Sequence, residues 1–595
     1  MEGTRAVSSG RVALILAGTL FGISGAAAGG AGDEARPNVL LIMTDDQGYG
    51  DLGIHGNPRI RTPNLDRLAD QSVRLRSFYV SPVCSPTRAS LLTGRYNYRT
   101  GVVDTYIGRS LMHPDEVTLA ELLAAAGYRT GIFGKWHLGD NAPLRPIDQG
   151  FQEAVVIKGG GIGQASDPPG GSSYFDPVLQ HNGRSEKFHG YCSDVFTTAA
   201  IDFLESKDRR PFFVYLAFNC PHDPLQAPPA ELARYRSMSL NPQDFPQVGH
   251  PIPPAQWTRP EGIARVYAMV TNIDTNVGRI LAALDARGLA RDTIVIFLTD
   301  NGPAQVRFNA GLRGRKGTVY EGGIHVPCFI RWPGHLTAGS VVDRIAAHID
   351  LVPTLLEACG VPAPSGLRLD GRSLWPLLGG RSGANWPDRT LFFQWHRGDR
   401  PEPDRAFAAR SQNYKLLRPE PPPGRRQVPP LELYDLSHDP WEQHNLAAEH
   451  PEIVERMHAD YLAWFRDVAA TRGFDPIRIE LGGPRENPTI LTRQDWRGPR
   501  AGWGPNDVGA WEVDVARAGR FDLTLHLTPR PVPTVASIRL RGVHRQLSLD
   551  PGAAECTIHD VPLSAGPGRL EAWVEGNHAT AGVLDLAVRR LEAVP

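Results

Sequence analysis

Two uninterrupted apolar runs, Asn38-Val-Leu-Leu-Ile-Met43 and Thr293-Ile-Val-Ile-Phe-Leu298, constrain the fold of this chain more than any other feature. A run without apolar–polar alternation suits a strand covered on both faces, and such strands belong to parallel sheets with helices packed above and below. Both runs stop at oxygen-bearing side chains, Thr44-Asp45-Asp46-Gln47-Gly48 after the first and Thr299-Asp300-Asn301-Gly302 after the second. In an open α/β sheet, ligands bind at the carboxyl ends of the strands. A lone Asp-Asp pair is more commonly a capped surface turn. Asp45, Asp46, Asp300 and Asn301 delivered together from two strand ends suit a hard cation, Ca2+ or Mg2+. No His, and no Cys other than Cys84, joins them, which disfavours zinc.

Further elements fit the same plan. Thr118 to Ala126 has helical apolar spacing and leads into a short strand, Gly127 to Phe133; Val195 to Leu204 reads as a helix and Pro211 to Phe218 as another buried strand. Ile263, Val266, Tyr267, Val270, Ile273, Val277, Ile280, Leu281 and Leu284 fall at three-and-four spacing, the stripe of a core-packing helix. A chain of 595 residues calls for two or three domains. Its net charge of −1 argues against a general binder of nucleic acid or anionic membrane. Met1 to about Ala28 has the basic start, apolar middle and small-residue end of an export signal, placing the protein in the periplasm or outside the cell. No later apolar run reaches that length, so no stable membrane anchor is expected. Cysteines 84, 192, 220, 328, 359 and 556 are scattered; a Cys192–Cys220 disulfide is conceivable but not decided by spacing.

Four motifs carry chemistry. In Cys84-Ser-Pro-Thr-Arg-Ala-Ser-Leu-Leu-Thr-Gly-Arg95, Ser85 can cap a helix from Pro86 to Leu92 that Gly94 closes. Cys84 then sits at a helix N-terminus, which favours a bound anion, and Arg88 lies one turn on. As a five-residue pattern alone it fits a buried structural cysteine equally well. Gly134-Lys135-Trp136-His137-Leu138-Gly139 in extended backbone places an ammonium and an imidazole on one face and Trp136 on the other. Asn219-Cys-Pro-His222-Asp-Pro224 holds a histidine between two prolines at a strand end. Leu312 to Gly323 presents Lys316 among Arg313 and Arg315 and reads alone as a solvated basic loop. Between them, the Gly/Ser/Pro-rich stretch 159–173, with Gln164 and Ser166 unassigned, is expected to lie over the site.

Taken together, these blocks resemble the formylglycine-dependent (type I) sulfatases, arylsulfatase-like members of the alkaline-phosphatase superfamily. The match covers roughly residues 35 to 470 and keeps the family's order, through Glu321-Gly-Gly-Ile-His-Val-Pro, Arg331-Trp-Pro-Gly and Leu369-Asp-Gly-Arg-Ser-Leu374. The resemblance implies a sulfuric ester hydrolase in which Cys84 is oxidised to formylglycine by a formylglycine-generating enzyme. It implies Ca2+, ahead of Mg2+, on Asp45, Asp46, Asp300 and Asn301, with the modified Cys84 touching the metal. Arg88 holds the nucleophile, Lys135 and Lys316 contact the sulfate, His137 helps expel it, and His222 is the leaving-group acid. Arg313 and Arg315 are expected at the surface or behind the site, His325 in a structural role, and His396 on a solvent loop. A phosphate or phosphonate ester hydrolase on the same fold, or a non-catalytic binder of sulfated glycans, are the rival functions.

The expected architecture is α/β: an alkaline-phosphatase-like sandwich with a central, mostly parallel sheet over residues 35–384, a smaller α+β subdomain over 385–472, and an all-β sandwich over 475–595. The subdomain is read from strands near Thr390–Trp395, Arg405–Ala409 and Tyr414–Leu417 and an amphipathic helix, Pro451 to Ala469. The sandwich is read from alternating segments such as Gly509–Val515 and Gly519–Leu527 between Gly/Pro turns. It looks similar to sugar-binding accessory modules, with Trp496, Trp503 and Trp511 as either platform or core. The export signal and this module favour a sulfated carbohydrate over a small aryl or steroid sulfate as substrate.

Overall fold

A computed structural model describes residues 36–168, 171–379, 386–422, 427–577 and 579–591; the export segment read at residues 1–28 lies outside the described residues. Five parallel strands form the centre of a ten-stranded mixed sheet: β1 (Asn38–Thr44), β2 (Arg129–Lys135), β3 (Glu153–Ile157), β4 (Phe212–Ala217) and β5 (Thr293–Thr299), in the spatial order β5-β1-β4-β2-β3. Cys328–Arg331 pairs antiparallel beyond β5 and Val178–His181 antiparallel beyond β3, so the sheet is parallel at its core and mixed at its edges.

Every residue of β1 and β5 is buried, the physical cause of their unbroken apolar composition. Leu40 and Ile42 face one layer, where a helix α2 (Pro260–Ala286) lays down Ile263, Tyr267, Val270, Ile273, Val277 and Ile280. Val39, Leu41 and Met43 face the other, against Ala89, Leu91 and Leu92 of a helix α1 (Cys84–Thr93) and the helix Leu351–Ala358.

Four antiparallel strands, Leu391–Gln394, Phe407–Arg410, Tyr414–Arg418 and Glu432–Asp435, form a second sheet under α3 (Pro451–Ala469), where Tyr461 stacks on Phe407 with ring centroids 3.7 Å apart. A buried ionic knot ties this sheet to the first: Lys415 lies 2.9 Å from Glu321 and 2.8 Å from Glu442. His396 is buried here, its Nε2 accepting from the Glu402 N–H, which corrects its assignment to a solvent loop.

Two further sheets stack face to face at the C-terminal end, one built on Ala510–Val515, Gly566–Gly576 and Thr534–Leu540, the other on Gly519–His526, Glu555–Leu563 and Asp585–Arg590. Trp496 and Trp511 are fully buried in this sandwich and belong to its core, whereas Trp503 keeps 38% exposure. Ile107, Leu111 and Leu144, from loops of the α/β part, pack into the same apolar core. Cys192 and Cys220 are both buried thiols; the conceivable disulfide is not formed.

Candidate active site

The parallel order brings the carboxyl ends of β5, β1, β4 and β2 side by side, and each delivers polar residues. Asp45 and Asp46 follow β1, Lys135 closes β2, Asn219 to His222 follow β4, and Asp300 and Asn301 follow β5. Backbone bonds lock the turns together: the Asp45 N–H donates to the Cys220 carbonyl at 3.1 Å and the Asp300 N–H to the Thr44 carbonyl at 3.0 Å.

Cys84 is the first residue of α1, and the whole helix is buried. Val83 occupies the N-cap without a side-chain bond, so Ser85 is not the cap the sequence suggested. Its hydroxyl instead lies 2.8 Å from the His137 carbonyl and 3.3 Å from that of Ser110, tying the helix start to the neighbouring loops. Gly94 closes the helix at φ +67°, as read from the sequence. Arg88 does not turn to Cys84; it donates to the Lys135 carbonyl and to Asp300 Oδ2, both at 2.9 Å, and stands 3.7 Å from Asp45.

Strand β2 ends at Lys135, and His137 adopts φ +63°, so the simple alternation expected of this segment breaks after Trp136. Lys135 pairs with Asp45, while His137 reaches Cys84 from the loop, its Nδ1 3.5 Å from Sγ. Its Nε2 lies 2.6 Å from the Thr105 carbonyl. A carbonyl only accepts, so Nε2 carries the proton and the Nδ1 lone pair faces residue 84. His222 is held the other way: Nδ1 donates to the Asp223 carbonyl at 2.7 Å, leaving Nε2 turned inward, 3.8 Å from Asp46. Lys316 Nζ sits 2.5 Å from Asp46 Oδ1.

Burial shapes the titration of these groups. It pushes the Cys84 thiol up, and it pulls His137 well below its ordinary range, helped by Lys135, and His222 down, helped by Lys316. Burial alone would raise Asp45, but Lys135, His222 and Arg88 hold it down. Asp300, buried beside the charge of Asp45, is pushed up to about 7.

The side chains of Asp45, Asp46, Asp300 and Asn301 fit a divalent metal on an observation independent of the motif. Asp45 Oδ1 and Asn301 Oδ1 are buried without a hydrogen-bond partner, an arrangement that is costly unless something else satisfies them. Asp45, Cys84 and Asp300 offer ligand atoms within 4.8 Å of one another. An all-oxygen set from carboxylates and an amide is the chemistry of Ca2+ and Mg2+.

In front of this cluster lies a cavity of about 170 Å3 lined by Cys84, His137, His222 and Lys316. Gly160 and Gln164 roof it, as expected of the stretch 159–173; a Cβ on Gly160 would stand 2.5 Å from the His137 ring. Ser166 is buried behind, against Gly159. Thr105, Tyr106 and Arg397 complete the wall and were not picked out from the sequence, where they lie in irregular segments without a periodic signal. Trp503 of the sandwich also lines it. Arg313 stacks 4.0 Å above the Tyr320 ring, and the His325 Nε2 donates to the Arg76 carbonyl at 2.8 Å; both brace the surroundings.

Comparison with known proteins shows the family to which a chain with this strand-end cluster belongs. Residues 37–361 match the family described as Sulfatase, and 315–464 match the one described as N-sulphoglucosamine sulphohydrolase, C-terminal. Arylsulfatase A of Bos taurus is 34% identical over 529 residues, covering 79% of this chain and 95% of the relative. N-acetylgalactosamine-6-sulfatase of Homo sapiens is 33% identical over 403 residues, covering 62% of this chain and 70% of the relative. The crystal structure of Ps i-CgsB in complex with k-i-k-neocarrahexaose superposes with a TM-score of 0.62 at 28% identity, over 74% of this chain and 95% of that one. The chain belongs to the sulfatase family of the alkaline-phosphatase superfamily. Its reaction is sulfate ester hydrolysis.

Proposed function

We propose that the protein is an exported, formylglycine-dependent sulfatase that uses a divalent metal, Ca2+ ahead of Mg2+, to remove sulfate from a sulfated carbohydrate. The observation that carries this reading is the position of Cys84: at the floor of the cavity and at a helix N-terminus, with the His137 lone pair on one side and the carboxylate cluster behind. Oxidation of Cys84 by a formylglycine-generating enzyme would supply a hydrated aldehyde as oxygen nucleophile. The metal, held by Asp45, Asp46, Asp300, Asn301 and residue 84, would supply Lewis acidity.

The chain's own side chains have distinct tasks in this reading. Arg88, fixed between Asp300 and the Lys135 carbonyl, orients the carboxylates. Lys135 and Lys316 oppose negative charge on the sulfuryl oxygens. In its doubly protonated form His222 delivers the Nε2 proton to the leaving oxygen, while its Nδ1–H stays on the Asp223 carbonyl. His137 accepts a proton at Nδ1 from the group at position 84 when sulfate is expelled. In this reading residues 35–384 form the catalytic part, 385–472 its α+β completion and 475–595 an accessory module.

The test is the anion released when protein matured with a formylglycine-generating enzyme meets sulfated oligosaccharides, an aryl sulfate and an aryl phosphate. Sulfate from an oligosaccharide, abolished by Cys84→Ala, is the expected result. Phosphate release exceeding sulfate release, or oligosaccharide turnover that survives Cys84→Ala, overturns the reading.

A further inference from the structure

The β-sandwich reaches into the catalytic cavity, and what it brings there has the chemistry of a second subsite. Trp503 closes one wall, edge to face with Tyr106 at 5.4 Å between ring centroids and an interplanar angle of 77°. Arg397 lies over the Tyr106 ring at 4.5 Å and over Trp395 at 5.0 Å. Its Nη1 is pinned to the buried carboxylate of Asp104 at 2.8 Å, yet 48% of its side chain stays exposed. Around this point the guanidinium groups of Arg109, Arg397 and Arg497 gather on the carboxylates of Asp104 and Asp399. Among the described residues no carboxylate lines the cavity itself, whereas Lys316 and Arg397 both do.

The loop carrying Trp503 is braced, not loose. Arg493 donates to the Gly504 carbonyl at 2.7 Å and to the Val583 carbonyl at 2.7 Å, Trp496 Nε1 to the Gly502 carbonyl at 3.0 Å, and the Gly504 N–H to Asp507 at 2.6 Å. The opposite loop is anchored to the sandwich as well: the Gly108 N–H donates to the Gln494 carbonyl at 2.9 Å, and Gln494 Nε2 to the Thr105 carbonyl at 3.1 Å. A half-exposed tryptophan on a braced loop is a preformed contact surface, because little side-chain freedom remains to be lost on binding.

A cavity of about 170 Å3 is below the roughly 300 Å3 at which pockets for drug-sized ligands begin. A cavity of this size cannot enclose an oligosaccharide, so part of such a substrate lies across the rim. Aromatic faces suit the C–H face of a pyranose, and an exposed guanidinium suits a carboxylate or a second sulfate.

Resting on the sulfatase reading above, we propose that Trp503, Tyr106 and Arg397 form a leaving-side subsite for the neighbouring sugar of a polyanionic oligosaccharide. Trp503 and Tyr106 hold the ring and Arg397 its anionic substituent. The sandwich is thereby a specificity-determining part of the active site and not a remote carbohydrate-binding appendage.

The experiment uses the full-length, formylglycine-bearing enzyme. It compares kcat/KM for 4-nitrophenyl sulfate, for a sulfated N-acetylhexosamine linked to a uronic acid, and for a sulfated disaccharide whose second sugar is neutral. In Trp503→Ala, the ratio of either disaccharide to the aryl ester is expected to fall at least about tenfold through KM, with Trp503→Phe restoring part of it. In Arg397→Gln, the ratio of the uronate disaccharide to the neutral one is expected to fall about tenfold. Ratios that move less than about twofold in both variants overturn the subsite, as does a loss confined to kcat and shared by all three substrates, which a merely structural role would give. Wild-type enzyme that turns over the aryl ester but neither disaccharide overturns the subsite while leaving sulfatase chemistry standing. Failure on all three sinks both.

Discussion

His137 and His222 present opposite ring nitrogens to the same cavity because each is oriented by a backbone carbonyl, that of Thr105 for one and Asp223 for the other. The loops therefore fix which nitrogen of each ring faces the cavity; both neutral rings turn a lone pair inward, and His222 acts as an acid only when a second proton is bound at Nε2. Replacing His222 or Lys316 by Ala should lower kcat for an aryl sulfate by about 10²-fold or more, the usual range for a general acid or a charge-stabilising donor. Turnover unchanged in steady-state assays would remove the roles assigned to them. Gly160→Ala is a subtler test of the same geometry. Its Cβ would press on the His137 ring from 2.5 Å, and displacement of about 1 Å is enough to cost roughly 10²-fold in rate. The fall should appear in kcat with the melting temperature little changed; a normal kcat would mean that the ring position is unimportant.

At the scale of elements, the readable features were those that burial imposes on composition. The strands β1 and β5, the long helix α2 and the amphipathic α3 were legible because faces covered by protein must be apolar at the period of the element. The places of Asp45, Asp46, Asp300 and Asn301 at strand ends were legible from the apolar runs that precede them, whereas their burial was not, since an acidic pair there also suits a surface turn. Ser85 misled because its pattern fits a cap, while tertiary partners claimed its hydroxyl. Thr105, Tyr106 and Arg397 left no local trace. Arg397 is separated from Thr105 by 292 residues, and only the folded chain brings such segments together. Less visible still was the buried Lys415 between Glu321 and Glu442, of which burial pushes Glu442 up to about 7. Lys415→Met leaves two carboxylates facing each other in the interior and should cost about 3–5 kcal/mol of stability, read as an earlier denaturant midpoint. A midpoint within error of wild type would show that the knot contributes nothing to joining the two sheets.

Across the whole molecule, the catalytic cavity is assembled from the α/β part, the second sheet and the C-terminal sandwich, so removing the sandwich removes part of the wall. Among the described residues no helix is long and apolar enough to cross a membrane. The most far-reaching architectural fact concerns access to position 84. Cys84 is 2% exposed, and Ser85, Thr87 and Arg88 are wholly enclosed. An enzyme that must grip this stretch to oxidise it has no handle on the finished protein. If Cys84 is converted as proposed, its burial requires that conversion precede folding, because the finished fold seals the thiol in. Protein made without the oxidising enzyme and then exposed to it should keep its thiol by mass spectrometry, whereas the same protein unfolded first should lose it. Conversion of the folded form would mean that the helix opens on its own. If instead only the unfolded form is converted, the fraction of active molecules is settled by the relative speeds of two clocks, folding and oxidation, and not by the stability of the product.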